Sequence, residues 1–107
     1  MRIAFDVKGT IEGHSKDKVL RLFKALEAMG HDLLVWSNSY QYAVDAVKNN
    51  GLKCPYQSKT TKWDVSDESQ YVDLAIDDDS SQTWLASKRF IWVHELPDDI
   101  ETFAKTI

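Results

Sequence analysis

The sequence predicts an α/β fold: a three-layer, Rossmann-like domain in which a mostly parallel sheet of about five strands is flanked by helices. Two observations predict it. Short apolar, β-favouring runs alternate along the chain with stretches whose apolar residues recur at helical spacing. No repeat, low-complexity tract or linker interrupts that alternation, and strands separated by helices pair in parallel with helices over both faces. With 107 residues, residues 1–107 suit one domain with a single core.

Residues 2–7 (RIAFDV) read as a buried central strand that ends on a carboxylate, with a turn signal at Lys8-Gly9-Thr10. Ser15 is the expected N-cap of the next helix. Val19, Leu20, Leu22, Phe23, Leu26 and Met29 give that helix its apolar face, and Gly30 its stop. Residues 32–36 (DLLVW) form a second buried strand, followed by Ser37-Asn38-Ser39 as loop and cap. Tyr42, Ala43, Ala46 and Val47 mark a second helix ended by Asn49-Asn50-Gly51, and residues 52–56 a short third strand in which Pro55 suits an edge. Residues 57–69 are polar, with room for a short helix near 64–70. Residues 71–76 form a fourth strand, broken by Asp77-Asp78-Asp79-Ser80-Ser81. A helix over about 82–87 leads to a fifth strand at 89–93 (RFIWV), and Pro97-Asp98-Asp99 opens a last helix through Ile100 and Phe103.

Composition narrows the function classes. Seventeen acidic residues against 13 basic give a net charge of −4, which argues against a basic nucleic-acid-binding domain. The single cysteine, Cys54, excludes an internal disulfide or a cysteine-based zinc cluster and reads as a small half-buried apolar residue. The start MRIAFDV is too short and too soon polar for a signal peptide, and no apolar run approaches the ~20 residues of a membrane span. A soluble, cytoplasmic protein is the expectation.

In a parallel sheet, ligands bind outside the carboxyl ends of the strands. Three polar groups fall at or just after such ends: Asp6, Ser37 and the pair Asp77-Asp78. Asp6-Val7-Lys8-Gly9-Thr10-Ile11 resembles the first motif of the haloacid dehalogenase (HAD) superfamily, Asp-x-Asp-Gly-Thr-Leu, with mismatches at Lys8 and Ile11. A strand ending in Ser37 is similar to the second motif, and a strand ending in Asp77-Asp78 to the fourth. Lys59 and Lys62 lie in the interval where the family carries a lysine. The resemblance spans the whole chain.

It implies a metal-dependent phosphatase-type hydrolase acting on a phosphorylated substrate. Asp6 would be the nucleophile, one of Lys59 and Lys62 the phosphate-neutralising cation, and Gly9, Thr10, Ser37 and Asn38 the phosphate-binding residues. Magnesium would sit on Asp6, on Asp77 or Asp78, and on the backbone carbonyl of Lys8. The chemistry suits the residue types: in-line attack on phosphorus needs a fixed carboxylate, charge on the phosphoryl oxygens needs cations and pre-arranged donors, and magnesium prefers oxygen ligands. Lys8 is the departure. The family's phosphatases carry an aspartate there as general acid and base, a role that a cationic lysine fills poorly. Too few residues follow the first motif or the third strand for a cap domain, so the site would be open, which in the family favours large substrates.

Each position also has a plain structural reading. Asp6 could be a strand-end acid, Ser37 a helix cap, Asp77 to Asp79 a solvated loop, Lys59 and Lys62 surface lysines, and Lys8 a counter-ion standing in for a metal. His14, His31 and His94 lack ligand spacing; Trp36, Trp84 and Trp92 read as core, Trp63 as exposed. The acid pair follows the fourth strand rather than the first, which is the wrong order for a receiver domain. No Gly-x-Gly-x-x-Gly turn is present for a dinucleotide. The competing functional class is a non-catalytic binding module that has lost turnover at Lys8; a third is a domain that accepts a phosphoryl group and cannot readily release it.

Overall fold

The centre of the molecule, described by a computed structural model over Met1–Ile107, is a strand with no exposed face. β1 (Arg2–Phe5) pairs in parallel with β2 (Asp32–Ser37) on one side and β4 (Leu74–Asp77) on the other. β3 (Tyr56–Ser58) continues the sheet beyond β2 and β5 (Phe90–Trp92) beyond β4, giving the order β3-β2-β1-β4-β5. All four pairings are parallel. The fold is thus α/β and Rossmann-like, as the alternation predicts.

Strand periodicity splits the core in two. Ile3, Phe5, Leu33, Val35, Leu74 and Ile76 face the larger cluster, while Ala4, Leu34, Trp36 and Ala75 face the smaller one. The larger cluster takes Val19, Leu22, Phe23 and Leu26 of α1 (Lys16–Ala28), Ala43 and Ala46 of α2 (Tyr40–Asn49), and Ile100 and Ala104 of α3 (Ile100–Ala104). On α1 those residues lie at i, i+3, i+4 and i+7, so one stripe of the helix is fully covered. Phe23 sets its ring against Phe5, with centroids 5.1 Å apart.

All three helices therefore lie over one face, which corrects the expectation of helices over both. The smaller cluster is closed by Val72, Leu85 and Trp84, which belong to irregular chain. The helix expected at 82–87 does not form. Leu85 bridges Thr61 in antiparallel fashion instead, the amide of Ala86 donates to the carbonyl of Thr60 (2.8 Å), and that of Val72 donates to the carbonyl of Ala86 (3.0 Å). Non-local pairing wins over a weak local preference in a stretch that opens with serine, glutamine and threonine. The crossover rule accounts for the segregation. Connections running from β1 towards β3 must lie over one face, and those running from β3 to β4 and from β4 to β5 over the other.

Three other elements move, one of them the fourth strand, which is expected at 71–76 and forms at Leu74–Asp77. The third strand was expected at 52–56, but pairing begins at Tyr56 because Pro55 has no N–H to donate; Leu52 and Cys54 are apolar because they pack against the helical layer. Near residues 64–70 only a single 3-10 turn forms, at Glu68–Gln70. No helix is long and apolar enough to cross a membrane.

Leu22 is fully buried between α1 and the sheet. Leu22→Ala is expected to cost about 2–5 kcal/mol, since the short α3 leaves little chain able to collapse into the hole. An unfolding free energy from urea titration lowered by less than about 1 kcal/mol would show that this layer relaxes freely.

Candidate functional site

β1 and β4 are neighbours in the sheet, yet the chain leaves β1 towards β2 and leaves β4 towards β5. This is the switch point at which α/β sheets open a crevice beyond their carboxyl ends. The pairing Phe5↔Ile76 places Asp6 and Asp77 side by side at that point, the amide of Asp6 donating to the carbonyl of Ile76 (3.0 Å). Both carboxylates are buried, Asp6 at 4% exposure and Asp77 at 0%.

The sequence left Lys59 and Lys62 undecided; the fold separates them. After β3 the amide of Lys59 donates to the carbonyl of Ser37 (2.9 Å), which turns the side chain in over the strand ends. Its ammonium reaches Asp6 Oδ1 at 3.0 Å and Asp77 Oδ2 at 2.9 Å, and also donates to Gln82 Oε1, leaving the side chain 3% exposed. Lys59 is therefore no surface lysine. Lys62 lies elsewhere, in a shallow depression with Glu68, Tyr71, Ser87 and Lys88, its amide bonded to the carbonyl of Trp84. Its expected catalytic role is withdrawn.

The turn after β1 is closed by short-range bonds. The amides of Thr10 and Glu12 donate to the carbonyl of Val7, that of Ile11 to Asp6, and that of Gly9 to Glu12. Thr10 Oγ1 donates to Asp6 Oδ2 (3.1 Å) and Thr10 is fully buried, so its hydroxyl positions Asp6 rather than facing the crevice as a phosphate ligand. Gly9 has φ of +82°, and a Cβ there would overlap the carboxylate of Asp78, which folds across the glycine. Gly9 thus serves by what it leaves empty, not as a lining residue.

An open cavity of about 290 Å³ stands over this floor, lined by Asp6, Ser37, Asn38 and Lys59 together with Lys8 and Asp78. Tyr42, Asp79 and Gln82 also line it; the sequence marks Asp79 only as part of an acidic run and assigns Tyr42 and Gln82 no site role. Gln82 was hidden by the expected helix, and Tyr42 by its helical spacing. Ser37 Oγ accepts the amide of Ser39 (3.1 Å), a loop bond that leaves its hydroxyl proton free to donate. Asp6, Asp77 and Asp78 each bring a carboxylate oxygen within 4.8 Å of the others. Lys8 is exposed on the rim and forms no ion pair. His14 and His94 border another depression, which Lys8 and Asp78 also line.

Burial, then the adjacent Asp77, raises the Asp6 carboxyl from its ordinary value to about 7, against the pull of the Lys59 ammonium. Asp77 is raised too, by burial first, with Lys59 and the amide of Asp79 opposing. One ammonium does not fully compensate two buried carboxylates.

No protein-family model matches the chain, and no curated protein or solved structure matches it either. What the site does must be argued from its own geometry.

A carboxyl raised in the fold holds its proton more tightly in the native than in the unfolded chain. Stability contributed by Asp6 is therefore lost as pH climbs from an ordinary carboxylate value of about 4 to about 7. Asp6→Asn removes that titration, so without added metal the variant should gain on the wild type in urea between about pH 5 and about pH 8. The same difference at both pH values would contradict the assignment.

Proposed function

We propose that this chain is a metal-dependent, phosphatase-type hydrolase of the HAD kind, with Asp6 as nucleophile and with turnover held back at Lys8. The observation that carries the reading is the buried Lys59 ammonium, shared between Asp6 and Asp77 on the floor of an open crevice at the switch point. A carboxylate fixed at a strand end suits in-line attack on phosphorus, which demands a rigid nucleophile more than a reactive one. Ser37 and Asn38, which line the same cavity, would donate to phosphoryl oxygens, and Lys59 would neutralise them.

The donor set fits magnesium, because only oxygens converge here. Asp6 and Asp78 would hold it with Asp77 and the Lys8 carbonyl, which the hydrogen bonds of the turn leave without a backbone partner. When bound, the ion would supply positive charge to the phosphoryl oxygens. The substrate is a phosphorylated molecule, and the open crevice suits a large one. A cytoplasmic setting goes with this chemistry. The exposed cation at Lys8 also favours a second reading, a HAD-fold binding module without turnover.

Magnesium should raise the melting temperature by mass action, and more so above about pH 7, where protons no longer compete for the raised carboxyls. Titration calorimetry with no heat at millimolar magnesium would point to Lys8 and Lys59 as replacements for the metal.

With an aryl phosphate as substrate, Asp6→Asn should abolish hydrolysis, while Ser37→Ala should lower it only about tenfold, one donor among several being lost. Lys8→Asp should raise hydrolysis of an alkyl phosphomonoester by about 10² or more, since it restores an acid at the leaving oxygen. Hydrolysis that survives Asp6→Asn would end the covalent mechanism. A folded, magnesium-binding Lys8→Asp protein with no gain in rate would favour the binding module.

A further inference from the structure

We propose, resting on the phosphoryl-transfer reading above, that the site takes its phosphoryl group from an acyl phosphate, with Lys8 receiving the departing carboxylate and the cavity beside it holding the acyl body. Asp6 lies on the floor of the crevice and Lys8 on its rim. An in-line displacement by Asp6 sends the leaving oxygen away from the floor, towards that rim. The two cations of the crevice are unequal. Lys59 is engaged by Asp6, Asp77 and Gln82, whereas Lys8 has no ion-pair partner and is free to meet an anion.

What leaves decides what the rim must supply. An alkoxide must be protonated as it departs, and a rim cation is a poor substitute for a carboxylic acid in that task. A carboxylate is stable as an anion at neutral pH, needs no proton, and is stabilised by an adjacent ammonium. The bookkeeping of the step is complete without a co-reactant: an Asp6 oxygen bonds to phosphorus, the bond from phosphorus to the acyl oxygen breaks, and its electron pair leaves on the donor's carboxylate. Donor and product are both acyl phosphates, so one phosphorus–carboxylate bond replaces another of the same kind. An alkyl phosphate offers no such balance.

A second cavity, of about 280 Å³, adjoins the first through Lys8 and Tyr42, and its other walls are Val7, Ala46, Asn49, Glu12 and Asp45. Val7 and Ala46 are buried beneath this cavity, and the half-exposed Tyr42 ring gives an acyl chain apolar surface to lie on. A polyphosphate tail running past Lys8 into this cavity would meet Asp45 and Glu12, the latter paired with Lys16 (3.2 Å), and no further lining cation. The charge pattern favours a donor whose anionic atoms stop at Lys8. That is an acyl phosphate rather than a phosphoanhydride.

The test incubates the full chain and magnesium with acetyl phosphate, glycerol 1-phosphate or pyrophosphate. Transfer is read as phosphoryl mass added at Asp6, located by peptide mapping, plus free phosphate. Acetyl phosphate should react about 10²-fold faster than glycerol 1-phosphate, the factor that a missing general acid withholds from the latter. Lys8→Met, which keeps length and drops charge at an exposed position, should lower the ratio of the acetyl phosphate rate to the glycerol 1-phosphate rate about tenfold. Fluoroberyllate titration, in wild type and Asp6→Asn, reports independently whether Asp6 accepts a phosphoryl mimic. Binding that needs Asp6, combined with equal rates for all donors or with pyrophosphate fastest, overturns the donor assignment and spares the phosphoryl-transfer reading. No binding and no transfer overturn both.

Discussion

Two carboxylates buried side by side need a cation between them, and much of this molecule is arranged around supplying one. The parallel register of β1 and β4 fixes Asp6 and Asp77 at adjacent strand ends, where neither can withdraw into solvent. Lys59 answers them at 3.0 and 2.9 Å. A buried ion pair of this sort is weak support for stability, because desolvation offsets most of the attraction; removing one partner is far more costly. Its value lies in position. The ammonium must be carried from the edge strand β3 to the centre of the sheet, so the chain beyond Ser58 is drawn back across the strand ends. Gln82, on the β4–β5 connection, completes the cage. The irregular third layer is thus tied at both of its connections to the same charged centre.

That dependence explains what could be read from residues alone. Strands β1, β2 and β4 are legible because each is an apolar run stopped by a polar residue, and burial on both faces of a parallel sheet requires such runs. α1 is legible because a 13-residue helix displays its stripe nearly twice over. The carboxyl-edge positions of Asp6, Ser37 and Asp77 follow from the same reading, since each is the residue that stops a run. The third layer was not legible. Its order comes from pairings such as Val72 with Ser87 and Thr61 with Leu85, between segments that carry no common period. A helix was read at 82–87 because alternation suggested one, and the tertiary pairing overrode it.

The same limit applied inside the site. Lys59 and Lys62 are three positions apart in one polar stretch, and nothing local distinguishes them. A single backbone bond, from the Lys59 amide to the Ser37 carbonyl, decides which of them turns inward. Thr10 shows the converse case. A hydroxyl beside Gly9 reads as a phosphate ligand, yet the tight turn folds it beneath Asp6, where it serves the carboxylate instead. The strand pattern places Asp6, Ser37 and Asp77 at the carboxyl edge, while the direction each side chain takes depends on the turn that carries it.

Lys8 then has to be understood through chemistry rather than through stability. An exposed lysine without a partner adds at most a few tenths of a kcal/mol to a fold, and salt screens even that. A carboxylate in its place would join Asp6, Asp77 and Asp78 around a single buried ammonium, so a lysine here also avoids added repulsion in a cluster where burial already raises Asp6 and Asp77 above the ordinary range. Relief of that kind would be served by any neutral residue. A positive charge does something further only where negative charge develops during a reaction, and the rim above Asp6 is such a place on the proposed mechanism. The same charge hinders the second half of hydrolysis, because water attacking a phosphorylated Asp6 needs a base that the rim no longer offers. A site built this way would favour accepting a phosphoryl group over releasing it. On the proposed mechanism, the distinction between a hydrolase and a module that stores phosphate on Asp6 would come down to one side chain at the mouth of the crevice.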